Sequence, residues 1–559
     1  MSSPHPAPHT ASPRIVRRFV NAGSRRVHLR EAGAGKPVIL LHDSPRSSRL
    51  HIDLMHFLAP HFRVVALDTA GYGNSDPLGA DRPEIADFAA ALGECLDALE
   101  LADAPIYATH TSAKIALEYA FATGRPPALV LDGLAYPPTL APPAFIDAYM
   151  RPFEIDSNGA YIAAEWTRVC DMLRWFPWFS PTAANRVLSA TPSAEWIAHY
   201  TIDLFSAGPH YADAYAAAMR YDCGPALRGI GVPTVVAARR DDVLYGFLNR
   251  VPVDENPLLT VERLAPDRTL WCEWLLQRLL EASHAAPDAT PIAGPGPNAG
   301  YLDHAGGQIR YDRRGPKGGS PLLILEAPAP LEAILWQASL AEDHDVIVPE
   351  LPGFGDSDPL ENATSAGYVS ALESILATIG EKVDVLAIGP ATYLALALAA
   401  QHPDRLRAIV LDGAPHAPAD LDALGPSIGF DMGGGHLHRT WHMLRDAQVQ
   451  WPWYSAAAEA QRRTKPTIGG EALHRALIGT IKQPAHHADA LRAALSAPAC
   501  TTQHPALIFT RDGDPFYAGA PRLAEELTRA HCVVRDDGIV DAAPRIARFL
   551  ADCDAESLV

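Results

Sequence analysis

The sequence predicts two successive α/β domains, each built on a doubly wound, mostly parallel sheet with helices on both faces. Short apolar runs alternate with Ala- and Leu-rich amphipathic stretches, which is the pattern of strands and covering helices. The alternation stops once in each half for a long helical segment. The two halves of the 559-residue chain also repeat the same motifs in the same order, and the chain is too long for one ordinary domain.

Composition narrows the class of protein. The chain is 48% hydrophobic and 20% charged, which suits globular domains with sizeable cores. A formal net charge of −19 argues against nucleic acid or an anionic membrane surface as a partner. No apolar run is long enough to span a bilayer, and the seven cysteines include no Cys-x-x-Cys pair. We therefore expect a cytoplasmic protein with no metal and no cofactor, acting on a small molecule.

The repeat sets the predicted domain boundaries. "LDTAGYGNSDP" at 67–77 matches "PELPGFGDSDP" at 349–359, and "LVLDGLAYPP" at 129–138 matches "IVLDGAPHAP" at 409–418. We predict a disordered arm at 1–14, a first domain at 15–283, a Pro-, Gly- and Ala-rich linker at 284–300 and a second domain at 301–559. The constant order of the matches indicates a duplicated ancestral domain.

The individual elements follow from local pattern. "PVILLHD", "FRVVALD", "APIYAT", "ALVLDG" and "PTVVAA" are nearly continuous apolar runs, as expected of parallel strands buried on both faces. Helical sequence rich in Trp, Tyr and Pro interrupts the strands at about 134–228, and again at about 414–500 in the second half. Such an insertion predicts a helical cap over the carboxyl ends of the strands, where open α/β sheets bind their ligands.

These motifs resemble the α/β-hydrolase superfamily, in the branch of lid-bearing esterases, C–C hydrolases, epoxide hydrolases and haloalkane dehalogenases. The resemblance is carried by "LLHDSPRSS", "DTAGYGNSDP", the strand–turn–helix "YATHTSAKIALEYA", "LVLDG" and a late strand that ends in Asp. It implies two tandem α/β-hydrolase domains, each with a helical cap. We expect the two domains to pack together as an intramolecular pseudo-dimer.

In that family the turn after the strand presents a nucleophile at the centre of Gly-x-Ser-x-Gly. The five corresponding positions are Ala108 to Ser112, so His110 occupies the nucleophile's place. Ser112 coincides with the second small position of the motif, and using it as the nucleophile would need a two-residue shift of the alignment. In the second copy the same alignment places Gly389 at the apex. A glycine supplies neither a nucleophile nor a base.

The remaining members of a Ser-His-Asp triad are incomplete in both copies. The resemblance places the family's acid at Asp242 and Asp514, but no histidine follows the last strand of either copy. We therefore expect a degenerate triad with His110 as an acid–base group poised near neutral pH, oriented by Asp43 or Asp242. The alternatives without a functional role are that His110 is a remnant of an inactive site and that Asp43 only caps its turn. By position, the backbone N–H groups of Ser44 and Thr111 form an oxyanion-type turn.

The helical segments supply the rest of the expected site, a polar and aromatic pocket lined by Tyr161, Trp166, Trp178, His436, Trp441 and Arg445. His438 and His442 are four residues apart on one helix, but no third ligand accompanies them. The resulting hypothesis is an enzyme for a small, largely apolar carbonyl-bearing or aromatic molecule, working by hydrolysis or by a cofactor-free lyase, isomerase or oxygenase step. The second copy would be structural or regulatory. The alternative is an inactive ligand-binding pseudo-hydrolase or a scaffold.

Overall fold

A computed structural model describes residues 13–187, 190–283, 299–316, 318–535 and 538–557. Most of the predicted N-terminal arm and of the predicted linker lies outside these residues. The chain divides into two compact units, each described here by itself: one of Met1–Phe153, Arg168–Thr191 and Asp203–Gly296, the other of Glu154–Thr167, Pro192–Ile202 and Pro297–Val559.

The first half of the chain forms an eight-stranded sheet. Its strands are β1 (Val16–Ala22), β2 (Arg25–Ala32), β3 (Pro37–Leu41), β4 (Arg63–Leu67), β5 (Ile106–Thr109), β6 (Leu129–Asp132), β7 (Thr234–Arg239) and β8 (Leu259–Leu264). Its helices are α1 (Ile52–Leu58), α2 (Ile85–Ala98), α3 (Thr111–Thr123), α4 (Pro143–Tyr149), α5 (Ala160–Met172), α6 (Ala194–Ala207), α7 (Asp213–Arg220), α8 (Gly224–Gly229) and α9 (Arg268–Ser283).

The second half repeats this plan. Its strands are β9 (Ala299–His304), β10 (Gly307–Arg314), β11 (Ser320–Glu326), β12 (His344–Pro349), β13 (Val383–Ile388), β14 (Leu406–Asp412), β15 (Ala506–Thr510) and β16 (Ala530–Val534). Its helices are α10 (Leu331–Leu340), α11 (Ser365–Ile379), α12 (Ala391–Gln401), α13 (Gly435–Asp446), α14 (Gly470–Lys482), α15 (Asp489–Leu495), α16 (Ala520–Glu526) and α17 (Ile539–Ser557).

The two sheets have the same topology. The strand order is β1-β2-β4-β3-β5-β6-β7-β8 in the first and, read in the same direction, β9-β10-β12-β11-β13-β14-β15-β16 in the second. The pairs β1–β2 and β2–β4 are antiparallel and the later pairs are parallel, with the same division in the second sheet. The predicted class, two tandem α/β domains on mostly parallel sheets, is confirmed.

Burial explains why these segments are strands. Every residue of β3, β4 and β13 is buried, because helices cover both faces of a parallel sheet and leave no polar face. Helices α4 to α8 lie between β6 and β7 in sequence, and α13 to α15 lie between β14 and β15. The helical insertions therefore occur in both halves at the expected place.

A turn network near the start of each sheet also recurs. In the first half the Ser75 hydroxyl accepts from the N–H of His28 and donates to the carbonyl of Asp68, while the side chains of His28 and Asp68 are paired at 2.8 Å. In the second half Ser357 makes the same two bonds, to Arg310 and Glu350, and an Arg–Glu pair replaces His–Asp. The same network recurs with a different basic–acidic pair, which is consistent with duplication.

Candidate functional site in the first domain

His110 lies at the apex of the turn between β5 and α3. Its backbone has φ 50° and ψ −110°, a region that non-glycine residues rarely adopt and that costs about 1–3 kcal/mol. The His110 N–H donates to the carbonyl of Asp132 at 3.0 Å, and the His110 carbonyl accepts from the N–H of Ala113 at 3.1 Å. The sheet on one side and the helix start on the other thus hold the strained residue.

Gly133, the last residue of "LVLDG", makes room for the imidazole. It has φ +73°, and a Cβ at this position would lie 2.5 Å from Cδ2 and 2.7 Å from Nε2 of His110. Glycine is therefore required here for space as well as for backbone conformation. The sequence analysis used the motif as a landmark but assigned Gly133 no role.

The partner of His110 is Asp242, in the turn after β7. Nε2 of His110 lies 2.8 Å from Oδ2 of Asp242, and the two side chains are 34% and 11% exposed. The other carboxylate oxygen, Oδ1, accepts from the N–H of Leu244 at 2.8 Å, so the acid is itself oriented. Within the described part of the chain no group hydrogen-bonds to Nδ1 of His110, so that nitrogen can bond to solvent or to a ligand.

The electrostatic surroundings convert this pair into an ion pair. Burial alone would lower the pKa of His110, but the hydrogen bond and charge of Asp242, with Asp43 and Asp132 beyond it, raise that pKa to about 9. Burial would raise the pKa of Asp242, but its bond to His110 lowers it overall. A pKa of about 9 favours the imidazolium form of His110 at neutral pH, whereas the sequence analysis expected a base poised near neutrality.

Two further carboxyl groups act on the charge of the imidazole. Asp43 is close enough to raise the pKa of His110, and its Oδ1 is buried with no hydrogen-bond partner among the described residues. Asp132 accepts from the hydroxyl of Tyr107 at 2.9 Å and from Nε1 of Trp271 at 3.0 Å, and burial raises its pKa. Sequence reasoning missed Asp132, Tyr107 and Trp271; the Asp of "LVLDG" was the available signal.

Ser112 and the oxyanion-type turn are placed as follows. The Ser112 side chain is buried in the first turn of α3, and its hydroxyl donates to the carbonyl of His42. That hydroxyl ties α3 to the segment after β3. Thr111 is the first residue of α3, so its N–H has no partner within the helix, and Ser44 is buried in the turn after β3.

The equivalent apex in the second domain is closed. Gly389 follows β13 with φ +54°, and its N–H donates to the carbonyl of Asp412 at 2.9 Å, as His110 donates to Asp132. A Cβ on Gly389 would overlap the ring of Phe516. Asp514 accepts from the N–H groups of Phe516 at 2.9 Å and Arg463 at 2.6 Å, so it serves as a cap. Phe516 occupies the space that an apex side chain would need.

Four of the six expected pocket residues form a packed cluster in the second unit. The Tyr161 hydroxyl lies 2.6 Å from Nδ1 of His474, and its ring meets that of Trp441 edge-on at 5.8 Å. Trp166 meets His436 edge-on at 5.0 Å, and both His436 and Trp441 are fully buried. These side chains fill a core, which corrects the expectation that they line a cavity.

The other two expected pocket residues are Trp178, in the first unit, and Arg445, in the second. Nε1 of Trp178 donates to the carbonyl of Tyr149 at 2.9 Å, and the guanidinium groups of Arg151 and Arg168 lie over its ring at 5.5 and 5.8 Å. Arg445 is half-buried in the last turn of α13.

Among the described residues no three His, Cys, Asp or Glu side chains are grouped as a metal site, and no helix is long and apolar enough to cross a membrane.

Comparisons with known proteins agree with the fold. A family model described as "alpha/beta hydrolase fold" matches residues 332–435, which include Gly389 and exclude His110. A haloalkane dehalogenase from Sphingobium indicum is 31% identical over 103 residues, 18% of this chain and 35% of that protein. The 2-hydroxy-6-oxo-6-(2'-aminophenyl)hexa-2,4-dienoic acid hydrolase of Metapseudomonas resinovorans is 40% identical over 63 residues, 11% of this chain and 22% of that protein.

Solved structures are similar over about half of the chain. A laboratory-evolved variant of a potato epoxide hydrolase is 19% identical, with a TM-score of 0.40, over 48% of this chain and 100% of that one. Epoxide hydrolase A from Mycobacterium thermoresistibile is 19% identical, with a TM-score of 0.39, over 49% and 100%. The chain spans about a third of the length of the first curated relatives that it matches, 35% for the dehalogenase.

Proposed function

We propose that the first domain is an acid–base enzyme for a small, uncharged carbonyl-bearing molecule, and that His110 is its proton donor. The observation that carries this proposal is the His110–Asp242 pair at 2.8 Å on the strained turn. Strain that the surrounding structure maintains is typical of functional sites. A remnant histidine would need neither an oriented carboxylate partner nor a glycine that clears its ring.

The chemistry follows from the atoms that are available. Nδ1–H of the imidazolium donates its proton to the carbonyl or leaving-group oxygen, while Asp43 accepts a proton from water or from the carbon beside the carbonyl. The N–H groups of Ser44 and Thr111 stabilise the developing oxyanion. Proton exchange with solvent then returns Asp43 to the carboxylate and His110 to the imidazolium. Hydrolysis and cofactor-free lyase or isomerase steps fit this scheme, an oxygenase step would also need dioxygen as a co-substrate, and the fold does not choose among them.

The charges around His110 favour an uncharged substrate. Three carboxyl groups, those of Asp242, Asp43 and Asp132, act on the imidazolium, and the guanidinium of Arg239 acts on Asp132 and Asp242. A carboxylate substrate would have to approach these acidic groups, which costs Coulomb energy in a partly buried site. The proposed substrate therefore differs in charge from the dienoic acid named for one relative.

The first test is substitution. A panel of neutral short-chain and aromatic esters and ketones identifies a substrate, and turnover is then compared in His110→Ala and Ser112→Ala. Loss of a general acid typically costs about 10²–10⁴-fold in rate, so His110→Ala should lose that much, whereas Ser112→Ala should retain most of the rate. Ser112→Ala is the matched control, because it removes a hydroxyl two residues away that is bound to a backbone carbonyl.

The pH profile and a covalent probe complete the test. Because the protonated form of His110 is the active one, the rate should fall as pH rises through about 9. A rate that instead rises through that range would assign His110 as a base. A fluorophosphonate that labels Ser112 would return the site to a serine esterase, and a panel with no turnover in which ligands still bind would support the inactive ligand-binding alternative.

A further inference from the structure

The second domain contains a cavity that the acid–base proposal does not use. Its volume is about 60 Å³, and it lies among residues of β11, α10, α13 and α15 together with Phe516. Apolar side chains form most of its wall, including Leu331, Leu424, Met443, Trp451 and Leu491. Since Phe516 closes the apex at Gly389, this cavity has no group in the nucleophile's place.

Several polar groups of the cavity wall form hydrogen bonds or ion pairs with other groups of the protein. Arg462 donates from Nη2 to Oε1 of Glu332 at 3.1 Å, and its guanidinium stacks over the Phe516 ring at 3.8 Å. Glu326 accepts from the N–H of Ala333 at 2.7 Å. Burial and the neighbouring Glu332 raise the pKa of Glu326 well above its ordinary value, which favours the neutral carboxyl, a form that can donate a hydrogen bond. Burial raises the pKa of Glu332 as well, while Arg462 beside it lowers that pKa, so Glu332 and Arg462 satisfy each other at this wall.

Two atoms of opposite hydrogen-bonding character are unsatisfied at this wall. Oε1 of Gln448, an acceptor, and Nε of Arg462, a donor, are buried without a partner among the described residues. Gln448 is 7% exposed, and the Arg462 side chain is 3% exposed. Buried polar groups in native proteins almost always have partners, so an acceptor and a donor at one cavity wall suit a polar ligand.

We propose that the cavity binds one small, uncharged carboxamide. The amide N–H donates to Oε1 of Gln448, and the amide carbonyl accepts from Nε–H of Arg462 and from the Glu326 carboxyl. A volume of about 60 Å³ is room for roughly four water-sized groups, the size of an acetamide unit. An ion would face a wall whose charges are already paired, which makes charged analogues unfavourable.

The test uses four isosteric probes: acetamide, acetone, acetate and acetamidinium. The reporter is the methyl resonance of Met443, which lines the cavity, in protein labelled with [methyl-13C]methionine and assigned with Met443→Leu. We expect saturable binding of acetamide in the millimolar range, as such a small ligand allows. Acetone lacks the N–H for Gln448, and acetate and acetamidinium carry charge. Each should bind at least fivefold more weakly.

Variants of Gln448 test whether acetamide binds in this cavity. Gln448→Leu removes the acceptor and should weaken acetamide at least tenfold while abolishing the preference for acetamide over acetone. Gln448→Met serves the same purpose if the leucine variant does not fold, as judged by circular dichroism. Gln401→Leu, an exposed glutamine in the same domain, should behave as the wild type. Equal binding of acetamide and acetone, unchanged affinity in the Gln448 variants, tighter binding of an ion, or no saturable binding at all would overturn the proposal.

Discussion

At the scale of single residues, the properties of His110 come from its immediate neighbours. Gly133 leaves the space that the imidazole fills, and Asp242 supplies the hydrogen bond that favours its charged form. A Cβ on Gly133 would also lie 3.2 Å from Oδ2 of Asp242, so it would press on both members of the pair. Gly133 is therefore a positioning residue for the imidazole of His110.

Gly133→Ala should move the pKa of His110. The added methyl group displaces the ring from Asp242, and losing that partner lowers the pKa from about 9 toward the ordinary value of 6.5. The measurement is an NMR titration of the His110 imidazole, assigned with His110→Ala. Gly124→Ala is the control, since Gly124 also has positive φ but nothing lies near its Cβ position. Identical titration curves for Gly133→Ala and wild type would show that the pair tolerates the methyl group.

At the scale of elements, the buried Lys114 of α3 forms hydrogen bonds with the helical insertion of its own domain. Nζ of Lys114 donates to the carbonyl of Ala218 at 2.8 Å and to that of Tyr221 at 3.1 Å. Ala218 belongs to α7 and Tyr221 follows it, so the bonds satisfy carbonyls at the end of that helix. Lys114 thereby joins the start of α3 to the end of α7, and the Tyr221 hydroxyl adds a hydrogen bond to Glu118 of α3.

Lys114→Met should destabilise the first domain by about 1–3 kcal/mol, because two carbonyls lose their donor in a buried place. Methionine keeps most of the aliphatic length, so the change isolates the ammonium group. Urea denaturation measures the effect, and Lys465→Met, at an exposed lysine, is the control. If the two variants unfold at the same urea concentration, the lysine bonds contribute no net stability.

A substitution at Gly389, the equivalent apex of the second domain, would be a poor control for a substitution at His110. From sequence, a substitution at this empty apex is expected to matter little. In the structure the ring of Phe516 takes the place of the missing side chain, and Gly413 also lies against that ring. An added methyl group at Gly389 would therefore disturb the core of the second domain.

At the scale of the whole molecule, the boundary between compact units does not follow the boundary between sequence repeats. The second unit includes Glu154–Thr167 and Pro192–Ile202 from the first half of the sequence. Within that unit Trp166 packs against His436, and its Nε1 donates to the carbonyl of Met432 at 3.2 Å. A Cβ on Gly434 would overlap the Trp166 ring at 2.6 Å, which shows how closely the indole is seated.

Trp166→Ala should destabilise the second unit by about 3–5 kcal/mol, the usual cost of removing a buried aromatic side chain. Thermal unfolding gives the magnitude, and faster hydrogen exchange at residues 430–445 locates it. Trp196→Ala is the matched control, because this tryptophan also belongs to the second unit but is 37% exposed. Equal losses in the two variants, or exchange unchanged near Met432, would contradict this assignment.

The sequence by itself determined the two α/β domains, the helical insertions and the apex positions of His110 and Gly389. Strands, helices and turns depend on residues only a few positions apart, so short stretches of sequence are enough to predict them. The tertiary structure decided between Asp43 and Asp242 as the partner of His110, since Asp242 lies 132 residues along the chain and arrives only when β7 pairs beside β6. It also decided the direction in which the His110 pKa shifts, since three carboxyl groups outweigh the lowering effect of burial and raise that pKa to about 9. Contacts between distant residues have no local pattern, and packing alone brings them together.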